Sequence, residues 1–376
     1  AMKIFHVYWS LKFGGIETML INIANMQAQL GEQVSIVIIN ESYEDTLINS
    51  LDKNISLYIL GRKVSSINIH FAIKLNNLLK EKQPDIIHLH NSNIALILNK
   101  HFFDRTCVTL HSIPQGVIKQ SLFKQVWNKI TGKASPYCNV TAINKIPNIF
   151  SISQTVKEQL KNHYNIESTV IYNGIDTKRF KQKTSTDRST PLKIIMVSRL
   201  EHNFKGQDLL IEAISKIRGK ATVDFIGSGS SLEFLKNLTH QLKCEQYIRF
   251  LGKKDQDYIS SNLAGYDLFV QPSRLEGFGL TVAEAMAAQI PVLVSKGQGP
   301  AEVTCDNKYG WIFENGDVND LAYQIEYIFN NYDIAIQKAQ IGKEYVYKLF
   351  DIHSTANFYI EEYKKIIKRQ VIQQAG

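Results

Sequence analysis

Two glutamates bracket a glycine turn in the segment PSRLEGFGLTVAEAMAA, residues 272–288. They are Glu276 and Glu284, with Gly277, Phe278 and Gly279 between them, and the pattern predicts a helix beginning near Leu280 or Thr281. A glycine-bearing turn that enters a helix presents backbone N–H groups and the positive end of the helix dipole. That combination is a ready anion site. Glu284 falls about one turn into the helix, within reach of hydroxyl groups on a ligand held at the helix start. Glu276 precedes the turn and is expected to face the same space. The plainer alternative is a pair of helix-end carboxylates placed to suit the dipole.

A second segment, VSRLEHNFKG at 197–206, carries Arg199 at a strand end and Lys205 before the next helix. A guanidinium and an ammonium there could clamp a diphosphate; alternatively they are two surface cations. A third, FGGIE at 13–17, joins the first strand to the first helix, and Gly14 and Gly15 let backbone approach a ligand closely. A fourth is His111 in TLHS, at the end of another strand. A histidine there can donate or accept a proton near neutral pH. His88 and His90 in HLH are its rivals, and a lone histidine is often structural.

Other patterns carry less. Asp255-Gln256-Asp257 has the form of a metal–diphosphate pair, but its position at a helix start explains it through the dipole. GSGSSL at 227–232 begins like a dinucleotide fingerprint but has Leu232 where the last glycine is needed. There is no Walker A sequence and no His/Cys run with metal-ligand spacing. Cys107, Cys138, Cys244 and Cys305 are far apart, which argues against a zinc site or disulfide framework and for a reducing compartment.

These residues need elements to hold them. KIFHVYW, QVSIVII, DIIHLH, CVTLH, NIFSIS and TVIYNG read as strands, with helical stretches between most of them, including Ile16–Leu30. A polar stretch, TKRFKQKTSTDRSTP, follows Asp176. The alternation then restarts with LKIIMVSRL, TVDFIG, YIRFLG, DLFVQPS and PVLVS as strands. Strand–helix alternation means parallel strands with helical crossovers. Two doubly wound α/β domains are therefore expected: 1–176 and 190–350, joined by a linker at 177–189. Ligands bind beyond the carboxyl ends of such strands, so the two sheets are expected to face an interdomain cleft.

The 376 residues suit two domains, and 44% apolar with 21% charged residues excludes a disordered or fibrous chain. No apolar run is long enough to span a membrane, and the N-terminus lacks a signal-peptide layout. The net charge of +8 is uneven: residues 1–180 hold 19 basic and 12 acidic groups. From Arg105 to Lys157 there are seven basic residues and no acidic one. Within that stretch, SLFKQVWNKITGK flanks an aromatic stripe with lysines, a layout suited to an anionic membrane surface or, more plainly, to a solvated helix packed on the core. No nucleic-acid motif accompanies the charge, so no nucleic-acid partner is expected.

GGIE, His111 at a strand end, NGID at 173–176, VSRL with Lys205 and Gly206, GSG, FLG and E-GFGLTVA-E occur in this order. Together they resemble glycosyltransferase family 4 over about residues 3–370. The resemblance implies a GT-B fold and a retaining enzyme that uses a nucleotide sugar without a metal or cofactor. It implies that Glu284 binds ribose hydroxyls and that Glu276 and His111 lie near the donor sugar. It likewise implies that Phe278, Gly279, Leu280 and Thr281 face sugar and phosphate, that Arg199 and Lys205 neutralise diphosphate, and that Gly15 approaches phosphate or acceptor. A C-terminal helix, within 351–376, would cross back to the N-terminal domain. The expected activity moves a hexose-type sugar from a UDP- or GDP-linked donor to a glycan or lipid-linked acceptor in envelope polysaccharide synthesis, in the cytoplasm or at the inner membrane face. The alternatives are a nucleotide-sugar epimerase and a catalytically silent nucleotide-sugar-binding homologue.

Overall fold

The computed structural model describes every residue except Phe13, Ser65, Ile67, Asn68, 112–142 and Gly376, and the side chains of 373–375. The chain forms two compact units. One comprises Ala1–Gly174 and Ile352–Gly376, the other Ile175–Asp351.

Among the described residues the first unit is built on seven parallel strands: β1 Lys3–Tyr8, β2 Gln33–Asn40, β3 Ser56–Arg62, β4 Ile86–Leu89, β5 Thr106–Leu110, β6 Asn148–Ser151 and β7 Thr169–Val170. Their order is β3-β2-β1-β4-β5-β6-β7. The second unit has six parallel strands: β8 Leu192–Val197, β9 Ala221–Ile226, β10 Ile248–Phe250, β11 Leu268–Gln271, β12 Val292–Ser295 and β13 Trp311–Phe313. Their order, β10-β9-β8-β11-β12-β13, repeats the same winding. In both sheets the order reverses beside the first strand, between β1 and β4 and between β8 and β11. A reversal of this kind opens a crevice at the carboxyl ends of the two strands.

The strands are apolar because helices cover both faces. Every residue of β2 from Val34 to Asn40 is buried. The helix Gln207–Lys216 buries Leu209, Leu210, Ile211, Ala213 and Ile214, the broad stripe of a helix lying on a sheet. Two strands, β3 and β13, are absent from the reading of the sequence. Both are sheet edges, and an edge strand needs no continuous apolar run: β3 alternates exposed and buried positions along part of its length, and β13 is three residues long.

The stretch 177–189, expected as a linker, is stitched into the second unit. Lys181 N–H donates to the Ser260 carbonyl and Lys183 N–H to the Ala288 carbonyl, at 3.0 and 2.8 Å. Lys183 Nζ also meets Asp267 Oδ1 at 3.2 Å with both side chains almost fully buried. The C-terminal helix Ile352–Ala375 belongs to the first unit, where Tyr359 and Tyr363 are fully buried.

Candidate active site

In the second unit the chemistry gathers at the β8–β11 reversal. After β8 the chain passes Ser198 and Arg199 and enters a short helix, His202–Lys205. Gly206 follows with φ 71°, and a Cβ there would lie 2.0 Å from the Pro272 carbonyl oxygen. Only glycine lets this turn rest on the segment after β11. The GSG segment has a similar reason. A Cβ on Gly227 would stand 1.9 Å from the Ser198 carbonyl oxygen, and one on Gly229 would stand 2.3 Å from that of Leu200. These glycines bring one loop against the Arg199 loop, so their pattern is explained by backbone approach.

Lys205 and Glu276 meet directly, Nζ donating to Oε2. Gln271, the last residue of β11, donates to the same oxygen from Nε2 at 3.0 Å. Its Oε1 accepts from the Thr281 hydroxyl at 2.8 Å. Gln298 Oε1 accepts from the Glu276 N–H at 3.0 Å. Lys205, Glu276, Gln271 and Thr281 thus form one network ending at the first turn of the helix Leu280–Ala287. Gln271 and Gln298 escaped the sequence reading. The available signal for Gln271 was an amide closing an otherwise apolar strand.

The turn itself is tightly set. Gly279 caps the helix with φ 99°, and a Cβ there would come within 2.9 Å of Pro300. A Cβ on Gly299 would sit 2.4 Å from the Gly277 carbonyl and 2.5 Å from the Phe278 nitrogen. Phe278 is buried, and its ring meets Phe350 edge-on.

Glu276 and Glu284 were expected to face one space, yet they have separate partners. Glu284 is buried and accepts from Gln256 Nε2 at 2.8 Å. Burial raises its carboxyl to about 7, against the opposing pull of that amide and of the Arg179 charge. Arg179 itself pairs with Asp257 at 2.6 Å. Asp255 caps the helix Gln256–Asn262, its Oδ1 accepting from the Tyr258 N–H at 2.8 Å. The D-x-D pattern is therefore spent on a cap and an ion pair. Arg199 lies two-thirds exposed with its guanidinium 3.4 Å from Glu201, so the structure gives the two expected diphosphate cations different carboxylate partners.

In the first unit Gly15 opens the helix Gly15–Gln29 after β1, with Gly14 extended before it. His111 follows β5, and the fold gathers three more histidines beside it. His6 on β1 pairs in register with His88 on β4, and His88 with Cys107 on β5. Side chains alternate faces along a strand, so His6, His88, His90, Thr109 and His111 share one face. His6 Nε2 lies 2.7 Å from Gln27 Oε1, and its Nδ1 lies 2.9 Å from His90 Nε2. His90 Nδ1 reaches His111 Nε2 at 3.2 Å. His88 is held by the Tyr363 hydroxyl at 2.6 Å and the Thr109 hydroxyl at 2.7 Å.

Burial lowers His6 to about 4 and His111 to about 3, and holds His88 and His90 well below the usual imidazole range. All four are neutral near pH 7. His6, His88 and His90 converge closely enough to hold a metal ion, a grouping that residue spacing in the sequence did not reveal. Each ring nitrogen of these three already has a hydrogen-bond partner, so the cluster is complete as a hydrogen-bonded core. Most of the basic stretch 105–157 lies outside the described residues, Lys119, Lys124, Lys129 and Lys133 among them. No helix among the described residues is long and apolar enough to cross a membrane.

Two Rossmann-like parallel sheets, each with ligand-type loops at its strand-order reversal, define the GT-B architecture. The solved Anabaena protein HepE, whose complex with UDP and glucose is known, shares this fold: TM-score 0.79 at 20% identity, over 97% of this chain and all of that one. Glycosyltransferase family 4 matches residues 13–179 and glycosyl transferases group 1 matches residues 177–348. The chain belongs to this family and is a glycosyltransferase. An uncharacterised glycosyltransferase of Methanocaldococcus jannaschii is 25% identical across 88% of this chain and 89% of its own length. A GDP-mannose-dependent phosphatidylinositol monomannoside mannosyltransferase of Mycobacterium tuberculosis is 28% identical over 46% of this chain and 49% of its own.

Proposed function

We propose that this enzyme transfers a hexose-type sugar, with retention, from a UDP- or GDP-linked donor to a glycan or lipid-linked acceptor of the cell envelope. The observation that carries the donor reading is the Lys205–Glu276–Gln271–Thr281 network at the start of the helix Leu280–Ala287. It sets a cation, a carboxylate and helix-start N–H groups side by side. Those are the groups a sugar diphosphate calls for.

In this reading the bond between the anomeric carbon and the β-phosphate oxygen breaks as the acceptor oxygen bonds to the same face. The acceptor's proton passes to the departing phosphate. Negative charge grows on that phosphate, and Lys205, Arg199 and the helix start stabilise it. The sugar becomes oxocarbenium-like. The backbone of Phe278, Gly279, Leu280 and Thr281 lies along sugar and phosphate, and Glu276 holds a donor-sugar hydroxyl. Glu284 takes the ribose hydroxyls, and the family resemblance assigns Gly15 to phosphate and His111 to the donor sugar. Cations and a helix dipole do the work of a metal ion, so none is required. UDP in the HepE complex and GDP-mannose in the mycobacterial relative's name support the donor classes. The acid-free basic stretch from Arg105 to Lys157 supports an anionic lipid-linked acceptor at the inner membrane face.

A thermal-shift panel with UDP, GDP and ADP, each with magnesium or chelator, tests the reading. A ligand that binds only the folded state raises the melting temperature with its concentration. One diphosphate should shift it equally in both media, and Lys205→Ala should remove the shift. No shift with any of the three, or a shift only with magnesium, sinks the proposal.

A further inference from the structure

The mechanism above uses His111 but leaves His6, His90 and Gln27 unexplained. All three are buried polar side chains, and burying such groups is costly unless each is hydrogen-bonded. They run in one line from the helix Gly15–Gln29 through β1 and the end of β4 to His111.

The line has a direction. Gln27 Oε1 is a carbonyl oxygen and can only accept, so His6 donates from Nε2. A neutral imidazole with its proton on Nε2 has a lone pair on Nδ1. His6 Nδ1 therefore accepts, and His90 must donate to it from Nε2. The same logic passes one step on: His90 Nδ1 accepts, and His111 donates from Nε2. His111 is left with its lone pair on Nδ1.

We propose that Gln27, acting through His6 and His90, fixes the tautomer of His111, so that His111 offers a sugar hydroxyl a hydrogen-bond acceptor at Nδ1 and is not a proton donor. This rests on the reading of His111 as a donor-sugar residue, while the tautomer itself does not depend on it. Gln27, His6 and His90 are then positioning residues. The hydroxyl on the substrate must be the donor of that hydrogen bond, so a deoxy or O-methyl sugar at the contacted position binds less well.

The test is a long-range proton–nitrogen correlation spectrum of the full chain with nitrogen-15 histidine, recorded without ligand at neutral pH. His6, His90 and His111 should each show protonated Nε2 and lone-pair Nδ1 shifts. Either His90 or His111 in the reverse tautomer overturns the proposal, and this needs no variant. Gln27→Leu removes the terminal acceptor and should move His111 toward the Nδ1-protonated form, with donor KM raised about tenfold and kcat changed less. A folded Gln27→Leu with an unchanged His111 spectrum also overturns it. If the tautomers are as stated but no sugar is transferred from any nucleotide donor, the proposed function fails and the relay stands.

Discussion

Lys205 donates from Nζ to Oε2 of Glu276, joining two segments 71 residues apart in the chain. Both side chains are more than four-fifths buried. A pair so placed holds its ammonium beside the helix start before any ligand arrives, and preorganised charge costs no reorganisation during reaction.

Lys205→Ala should therefore lower kcat/KM by about 10²–10³-fold, the range for removing one charge-stabilising donor. Glu276→Ala should also lose activity, by releasing Lys205 as well as its own contacts. In stability the two changes should not add. Removing Lys205 alone leaves a partly buried carboxylate short of a partner, so the double variant should be more stable than the sum of the singles predicts, with a coupling of about 0.5–3 kcal/mol. Denaturant unfolding of the four proteins measures it; simple additivity would mean that the pair contributes nothing.

Glu284 titrates in the folded protein at about 7, against an ordinary value of 4.5. The folded state holds this proton more tightly than the unfolded chain. The resulting stabilisation is fully present below 4.5 and is lost as pH rises through 7. Glu284→Gln has no such loss. The variant should gain on the wild type between pH 5 and 8, by up to about 3 kcal/mol, while losing nucleotide affinity at all these values. Parallel pH profiles of stability for the two proteins would show that Glu284 titrates normally.

Gly299→Ala would place a methyl group 2.4 Å from the Gly277 carbonyl and 2.5 Å from the Phe278 nitrogen. Backbone atoms cannot yield as a flexible side chain does, so the turn must shift. We expect a fall in stability of about 1–3 kcal/mol and a disproportionate loss of diphosphate binding, because the turn opens the helix Leu280–Ala287. Gly316 offers the control: its φ is 84°, but a Cβ there meets nothing within 4 Å. Gly316→Ala should cost stability through backbone strain alone and leave nucleotide titrations unchanged.

Asp255 should behave as a helix cap and not as a metal ligand. Asp255→Asn keeps the acceptor for the Tyr258 N–H and should match the wild type in stability and turnover. Asp255→Ala should lose about 1 kcal/mol of stability. Turnover in magnesium and in chelator should stay equal in both. A selective loss of magnesium-supported activity in Asp255→Asn would restore the metal reading.

The two doubly wound halves were readable because strand and helix periods are local. Runs such as KIFHVYW and LKIIMVSRL declare a buried strand without reference to anything distant. The edge strands β3 and β13 were not readable, since half-exposed or three-residue strands lack that run. The glycine turn between Glu276 and Glu284 was visible for the same local reason: glycine spacing and the onset of an apolar helix are near neighbours in the chain.

The partners of these groups had no such signal. That Glu276 meets Lys205 and Gln271 while Glu284 meets Gln256 depends on which loops the β8–β11 reversal sets side by side. Four histidines from three strand segments lie on one face because parallel register places His6 beside His88 and His88 beside Cys107. The low pKa values of those histidines and the high one of Glu284 follow from burial that the whole fold creates. The amino-acid sequence by itself determined the elements apart from the edge strands β3 and β13, the family and the candidate residues, since those rest on short-range pattern. Charge state, tautomer and pairing were decided only by the tertiary structure, because desolvation and hydrogen bonding depend on neighbours brought from far along the chain.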